Sequence, residues 1–119
     1  MGRGLLMHEY SLIQALLDRV EDEARLRGAV AVNRISVRIG EMAGVERGLF
    51  WTAFEMCREG TICKRADLVI SPVEARWACR LCGREVTQGE VLCCERCGAP
   101  ARLLSGDEIV LDQIEMEVA

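Results

Sequence analysis

The sequence predicts an α+β fold in which two helices cover a small mixed three-stranded sheet and a cysteine-rich module is inserted between two of the strands. Three observations predict this class. Two stretches place apolar residues at the spacing of a helical face, three stretches have the apolar patterns of strands, and two Cys-x-x-Cys pairs lie between the second and third strands. The chain has 119 residues, enough for one full-sized core, which excludes a second core of that size.

The first helix is predicted over roughly residues 9–27. Apolar residues recur in this stretch at intervals of three and four, as they do on one face of a helix. Gly28 follows the stretch as a stop signal. The residues of the predicted face are Ile13, Leu16, Leu17, Val20 and Ala24.

A strand and a second helix come next. Ile35, Val37 and Ile39 alternate with polar residues and end at Gly40, a pattern typical of a half-buried strand. A short turn then leads to a helix over roughly residues 46–59. The apolar stripe of this helix consists of Leu49, Phe50, Ala53, Phe54 and Cys57.

Two further strands complete the sheet. Leu68–Ile70 form an apolar run closed by Pro72, and residues 108–118 alternate apolar with acidic side chains. The strand-helix-strand order over 33–74 predicts a crossover to a neighbouring parallel strand, and the C-terminal strand makes the sheet mixed. The expected domains are an α/β domain beginning with 1–74, a metal-binding domain over 75–105, and a strand over 106–119 that returns to the first domain.

Two Cys-x-x-Cys-Gly motifs predict a structural zinc site, which makes the inserted module zinc-ribbon-like. The pairs are Cys79 with Cys82 and Cys94 with Cys97. A two-residue gap lets both sulfurs of a pair reach one ion, and four thiolates in a closed tetrahedron are typical of structural zinc. The module also has too few large apolar side chains to fold without such a link. The alternatives are cysteines that fill a small core and a redox pair, although a redox motif normally opens a helix whereas glycine follows each pair here.

Three cysteines lie outside these pairs. Cys93 is interpreted as a spectator thiol because residue 96 is arginine, so only the register of Cys94 offers a second sulfur at the right distance. Cys57 is interpreted as a small core residue, and the role of Cys63 stays open. A disulfide between Cys57 and Cys63 is not expected in a reducing compartment.

Composition restricts the class of protein further. The net charge is −4, and 50% apolar with 29% charged residues is ordinary for a folded soluble chain. The apolar runs are far shorter than the roughly 20 residues of a membrane span, and no signal peptide is recognisable at the start. We therefore expect a cytoplasmic protein, in which seven cysteines favour metal thiolates over disulfides.

The sequence does not predict catalysis. It lacks a glycine-rich phosphate loop and a Ser/His/Asp set, and its one histidine, His8, is far along the chain from every cysteine. Glu41 and Glu46 flank the turn before the second helix and are expected to be solvated carboxylates. Taken alone, a histidine near a helix start is more often a surface or capping residue than a ligand.

Five motifs, however, occur in a defined order along the chain: Met7-His8-Glu9, the strand and turn from Val37 to Met42, the helix residues from Leu49 to Glu55, the two cysteine pairs, and the acidic strand from Gly106 to Met116. Zinc knuckles alone are common, but this combination and order are specific. In these motifs the chain resembles the HypA/HybF family, the nickel-incorporation proteins of NiFe-hydrogenase maturation.

The resemblance implies a metallochaperone with two unlike metal sites. The four paired cysteines would hold structural Zn2+, and Met7, His8 and Glu9 of the α/β domain would hold Ni2+ as cargo. In the family the histidine imidazole and backbone nitrogens of this motif bind nickel, a nitrogen-rich environment that suits tetragonal or square-planar Ni(II). Glu9 would be a ligand or would support one.

The chain departs from the family pattern at its start, because six residues, Met1 to Leu6, precede Met7. If the free amine of that methionine is a nickel ligand in the family, a peptide bond replaces it here. We expect the native start to be Met7; an expression remnant and a variant nickel site are the alternatives.

The resemblance also implies protein partners. These are a HypB-type accessory GTPase and the large subunit of the hydrogenase, with urease maturation factors as a second group. The first helix and the inserted module, which carries five arginines and three glutamates, are the expected docking surfaces, with Arg80 and Arg84 suited to an acidic partner. A monomer or a homodimer is expected.

The alternative from another class is a zinc-ribbon adaptor or nucleic-acid-binding module without a nickel function. Paired zinc knuckles often present basic surfaces to phosphates. This chain is acidic overall, has only five aromatic residues, and shows no basic stripe, so neither nucleic acid nor a membrane is an expected partner.

Overall fold

The computed structural model describes residues 2–86, 93–94 and 96–119. Within these ranges the chain forms two helices and six strands. No helix in them is long and apolar enough to cross a membrane. The elements in chain order are α1 (Gly2–Leu26), β1 (Ala29–Gly40), α2 (Arg47–Cys57), β2 (Asp67–Val73), β3 (Arg76–Cys79), β4 (Glu85–Val86), β5 (Ala101–Ser105) and β6 (Ile109–Val118).

The predicted mixed three-stranded sheet is confirmed, with the strand order β2-β1-β6. The end of β1 meets the end of β2, where the Glu41 amide donates to the Val73 carbonyl at 2.8 Å, so these strands run parallel. It also meets the start of β6, where the Gly40 amide donates to the Glu108 carbonyl at 2.8 Å, so that pair is antiparallel. Pro72 lies inside β2 instead of closing it, which the sheet tolerates because β2 is an edge strand.

Helix α1 begins at Gly2, so the predicted start at residue 9 is wrong. The predicted face is buried except for Leu16, which is half-buried, and it includes one further residue, Glu9, which is 0% exposed. Glu9 is polar and therefore interrupts the apolar spacing from which the helix was predicted. For this reason the prediction did not extend the helix to residues before position 9. At the other end Gly28 has a φ of 65°, the left-handed conformation expected of a helix stop.

Helix α2 is shorter at both ends than the predicted 46–59. Glu46 is its N-cap, and its carboxylate accepts from the amides of Gly48 at 3.1 Å and Leu49 at 2.8 Å. Arg58 is the C-cap, and its amide donates to the Phe54 carbonyl. The buried residues of α2 are Phe50, Ala53 and Phe54, and α2 packs against α1.

The inserted module forms a second sheet, ordered β4-β3-β5, which the sequence did not predict. Both pairings are antiparallel, with Trp77 opposite Val86 on one side and Cys79 opposite Ala101 on the other. Strands of two to five residues are too short for an apolar period to be recognised. The chain divides into two compact units, Met1–Val37 with Val45–Ser71 and Val110–Ala119, and Arg38–Gly44 with Pro72–Ile109.

Hydrogen bonds within the second unit fasten the two chain segments that lead into and out of the module. The Met42 amide donates to the Gly106 carbonyl at 2.7 Å, and the Ala75 amide donates to the Glu41 carboxylate at 3.1 Å. Gly106 has a φ of 102°, and a Cβ added there would lie 2.6 Å from the Cα of Ala75. This junction therefore requires glycine at position 106.

Candidate metal centres

The two Cys-x-x-Cys-Gly motifs fold into the same local structure. The Gly83 amide donates to the Cys79 carbonyl at 3.0 Å, and the Gly98 amide donates to the Cys94 carbonyl at 2.8 Å. Both glycines have positive φ, 74° and 65°, which closes each turn in a conformation that other residues rarely adopt. In both motifs, therefore, the fifth residue closes the turn onto the first, as in a zinc knuckle.

The structure brings the four paired cysteines together. Their sulfur atoms all lie within 4.8 Å of one another, and the Sγ atoms of Cys82 and Cys94 are 3.8 Å apart. A regular tetrahedron with Zn–S bonds of about 2.3 Å has sulfurs about 3.8 Å apart, so the donor set and spacing fit zinc. Cys79 and Cys94 are buried whereas Cys82 and Cys97 are exposed, so the cage lies at the surface of the module.

Backbone amides stabilise the thiolate form of one cysteine in each knuckle. The Cys82 amide, 3.5 Å from the Cys79 sulfur, and the Leu81 amide at 3.3 Å lower the pKa of Cys79 to about 7. The pKa of Cys94 is lowered chiefly by the Cys97 amide. Hydrogen bonding to Cys82 raises the pKa of Cys97 to about 12. A bound divalent cation would supply the charge that keeps all four sulfurs ionised.

The other three cysteines lie outside the cage. Cys93 is half-buried, forms an isolated bridge with Pro100, and is not part of the four-sulfur cluster. Cys57 is half-buried instead of belonging to the core, because it lines a cleft between α1 and α2. Cys63, whose role the sequence left open, is a fully buried residue of the first unit.

The Met7-His8-Glu9 segment lies within α1, and its two described side chains have opposite surroundings. His8 is exposed, whereas Glu9 is 0% exposed. The Glu46 amide donates to the Glu9 Oε2 atom at 2.8 Å, and Oε1 is buried with no hydrogen-bond partner among the described residues. The backbone of Met7 is helical, and its side chain is outside the described part of the structure.

The contact between Glu46 and Glu9 was not predicted from the sequence. The position of Glu46 at the helix start was predicted, but the hydrogen bond from its amide to Glu9 joins residues 37 positions apart and has no local signal. The only indication in the sequence is that a glutamate occupies the apolar stripe of α1, where a buried carboxylate requires a donor. Glu41 is exposed, as expected, and it also accepts a hydrogen bond from the Ala75 amide.

The residues predicted for nickel do not form a cluster of side-chain ligands. Apart from the cysteine cage, no group of three or more His, Cys, Asp or Glu side chains close enough to hold one ion occurs in the parts of the chain that the structure describes. A metal at His8 would therefore draw most of its ligands from the backbone, a terminal amine, water or another molecule.

The chain matches one family model over nearly its whole length. The model is described as hydrogenase/urease nickel incorporation, metallochaperone, HypA, and it matches residues 7–116. The hydrogenase maturation factor HypA of Aquifex aeolicus is 36% identical over 114 residues, which cover 94% of this chain and 99% of that protein. The factor of the same name from Wolinella succinogenes is 39% identical, with 93% and 96% covered.

Solved structures agree with these sequence matches. The solution structure of the Ni metallochaperone HypA from Helicobacter pylori superposes with a TM-score of 0.70 at 30% identity, covering 93% of this chain and 98% of that one. A second solution structure of a HypA protein gives a TM-score of 0.74 at 31% identity, with 95% and 98% covered.

Proposed function

Because this chain belongs to the HypA family of hydrogenase/urease nickel-incorporation metallochaperones, we propose that it carries Ni(II) on the Met7-His8-Glu9 segment and holds a resident zinc ion in the cysteine cage. The family consists of maturation factors and not of catalysts. The observation that carries the nickel proposal is that the only histidine of the chain lies in this segment and is exposed.

His8 is the principal nickel ligand in this proposal. Imidazole nitrogen is a favoured donor for Ni(II), and an exposed side chain can reach an ion that another protein delivers or removes. With no further side-chain cluster at the site among the described residues, the ion exchanges more readily than it would from a closed cage. Moderate affinity and easy access are the properties that a carrier needs.

Met7 and Glu9 have supporting roles. Met7 contributes through its amine when it is the first residue; in the longer chain its backbone nitrogen becomes a ligand only when the start of α1 unwinds, because the helix uses that N–H in a hydrogen bond. The Glu9 carboxylate is buried and accepts from the Glu46 amide, so it acts more readily by fixing the helix beneath His8 than by binding nickel directly. Its backbone nitrogen is used in a helix hydrogen bond, so it becomes a candidate ligand only when the start of α1 unwinds.

Zinc has the opposite role. Cys79, Cys82, Cys94 and Cys97 would enclose it completely, which leaves no position for a substrate, so its contribution is to hold the inserted module folded. Zinc is thus a structural cofactor and nickel is the cargo.

The proposed partners are a HypB-type GTPase and the hydrogenase large subunit, with urease maturation factors as a second group. Arg80 and Arg84 are exposed and offer positive charge to an acidic partner. Arg76, another arginine of the module, offers less free charge because it forms an ion pair with Glu85 at 2.5 Å.

Metal analysis of zinc-loaded wild type and His8→Ala tests the nickel proposal. We expect one zinc per chain in both proteins, and a nickel affinity about tenfold or more lower in the variant because it loses its imidazole donor. Gln14→Ala, an exposed substitution in α1, is the matched control and should retain wild-type affinity. Nickel uptake that is unchanged in His8→Ala would contradict the proposal.

The nickel affinities of two forms of the chain, one beginning at Met1 and one at Met7, show whether the terminal amine of Met7 contributes to nickel binding. A terminal amine has a pKa of roughly 8 and readily provides a lone pair, whereas a peptide nitrogen must first lose its proton. The form that begins at Met7 should therefore bind nickel more tightly near neutral pH. Equal affinities would show that the amine is not a ligand.

A further inference from the structure

Strand β6 is a long edge strand. It is last in the strand order β2-β1-β6, so among the described residues only β1 pairs with it. It extends over ten residues, from Ile109 to Val118. The outer edge of such a strand presents backbone N–H and C=O groups that can pair with another extended chain.

A groove lies along this edge. It has a volume of 490 Å³ and is lined by α1 on one side and by β6 on the other. Ile114 and Met116 are half-buried in its lining, and Val118, also in the lining, is 60% exposed. Alternate residues of β6 thus form a narrow apolar strip on which the side chains of an added strand could lie. Charged side chains border this strip: Arg19, Glu23, Arg27 and Asp112.

The opposite face of β6 is acidic. Glu115 forms an ion pair with Arg34 at 2.9 Å, and Glu117 accepts from the Asn33 side chain at 3.3 Å. The Glu115 side chain is still 47% exposed, so it can also interact with a cation on its outer side. Residues 106–119 carry five acidic and no basic side chains.

We propose that the open edge of β6 binds an extended segment of a partner protein in which apolar residues alternate with lysine or arginine. Such a segment would pair with β6 through its backbone, place its apolar side chains in the groove, and align its basic side chains with Glu115 and Glu117. A second copy of β6 fits less well, because its own acidic residues would lie opposite these glutamates and like charges destabilise cross-strand pairs. The proposal does not depend on nickel binding.

Binding of synthetic peptides to the zinc-loaded chain tests this interaction. The probe is a peptide of about ten residues in which valine alternates with lysine, and its control alternates valine with glutamate. We expect the lysine peptide to bind about tenfold more tightly, to shift the NMR signals of β6 amides, and to slow their hydrogen exchange. Methylating the peptide nitrogens that face β6 should abolish binding, because it removes the backbone donors.

A charge-reversed variant provides the matched test. The double variant Glu115→Lys, Glu117→Lys should bind the glutamate peptide more tightly than the lysine peptide. Both positions are exposed, so the fold should tolerate the two substitutions. If that variant failed to fold, the methylated peptide would still decide the question. The proposal would be overturned by equal binding of the two peptides, by undiminished binding of the methylated peptide, by unchanged β6 amides, or by self-association of the chain through β6.

Discussion

At the scale of single residues, Glu9 is a buried carboxylate in a position that the helical pattern reserves for an apolar side chain. Burying a carboxylate without partners is unfavourable, and here one oxygen has a donor while the other has none in the described structure. The donor is the amide of Glu46 at the N-terminus of α2, where the helix dipole also favours negative charge. Glu9 therefore ties the His8 segment to the start of α2.

Cys63 is a second buried ionisable residue, and it predicts a pH dependence of stability. Burial raises the pKa of its thiol to about 11, whereas an unfolded thiol titrates near 8.5. Between these values the unfolded chain has lost a proton that the folded chain keeps, so the free energy of unfolding should fall as pH rises, by roughly 3 kcal/mol in total. Below pH 8 the residue should have no such effect.

Urea unfolding of wild type and Cys63→Ala between pH 7 and pH 11 would measure this contribution. Alanine cannot ionise, so the difference between the two stability curves should change across the alkaline range and remain constant at neutral pH. A constant difference throughout would mean that the Cys63 thiol is not protected from ionisation.

At the scale of elements, α2 is held at both ends by side chains. Glu46 satisfies the amides of its first turn, and Arg58 fastens the chain that follows its last turn. The Arg58 guanidinium donates to the carbonyls of Lys64 and Ala66 at 2.8 and 2.9 Å and lies 4.8 Å from the centre of the Phe54 ring. Because this side chain is only 14% exposed, these contacts exclude most of the competing water.

Arg58→Lys should destabilise the protein although it keeps the charge. An ammonium group cannot reproduce the planar fork that reaches two carbonyls at once, so we expect a loss of about 2 kcal/mol in the free energy of unfolding. Arg65→Lys, at an exposed position, is the matched control and should change stability by less than about 0.5 kcal/mol. Urea denaturation would compare them, and equal stabilities would show that the Arg58 contacts contribute little.

At the scale of the whole molecule, the first unit and the inserted module depend on different sources of stability. The first buries large side chains, including Ile13, Phe50 and Phe54. In the described part of 72–109 the buried apolar residues are small: Ala75, Ala78, Cys79 and Cys94. Side chains of this size bury little apolar surface, so we expect the module to need a metal ion in the cysteine cage in order to fold.

Removing the metal should therefore unfold the inserted module selectively. We expect Cys97→Ser, or treatment with a strong zinc chelator, to collapse the NMR dispersion of β3 and β5 while the amides of α1 and β1 keep their positions. Cys93→Ser, outside the cage, is the matched control and should keep both zinc and dispersion. A module that stayed folded without metal would contradict this dependence.

Much of the fold and of the zinc site was predictable because the determining interactions are local. The helix stripe that includes Ile13 and Val20 repeats every three to four residues, and each zinc knuckle is closed by hydrogen bonds between residues four apart. The alternation of β1 likewise identifies its buried side chains. Periodicity and short spacing are properties of the chain itself, so they can be recognised before any packing is known.

The sequence by itself thus determined the helices, the strands of the first sheet, the sulfurs that share an ion, and the histidine of the proposed nickel segment. Only the tertiary structure decided that Glu9 is buried beneath α2, that short strands surround the cage, and that β6 keeps an open edge beside a groove. These features depend on contacts between residues far apart in the chain. No periodic pattern encodes such contacts, because they arise only when separate elements pack together.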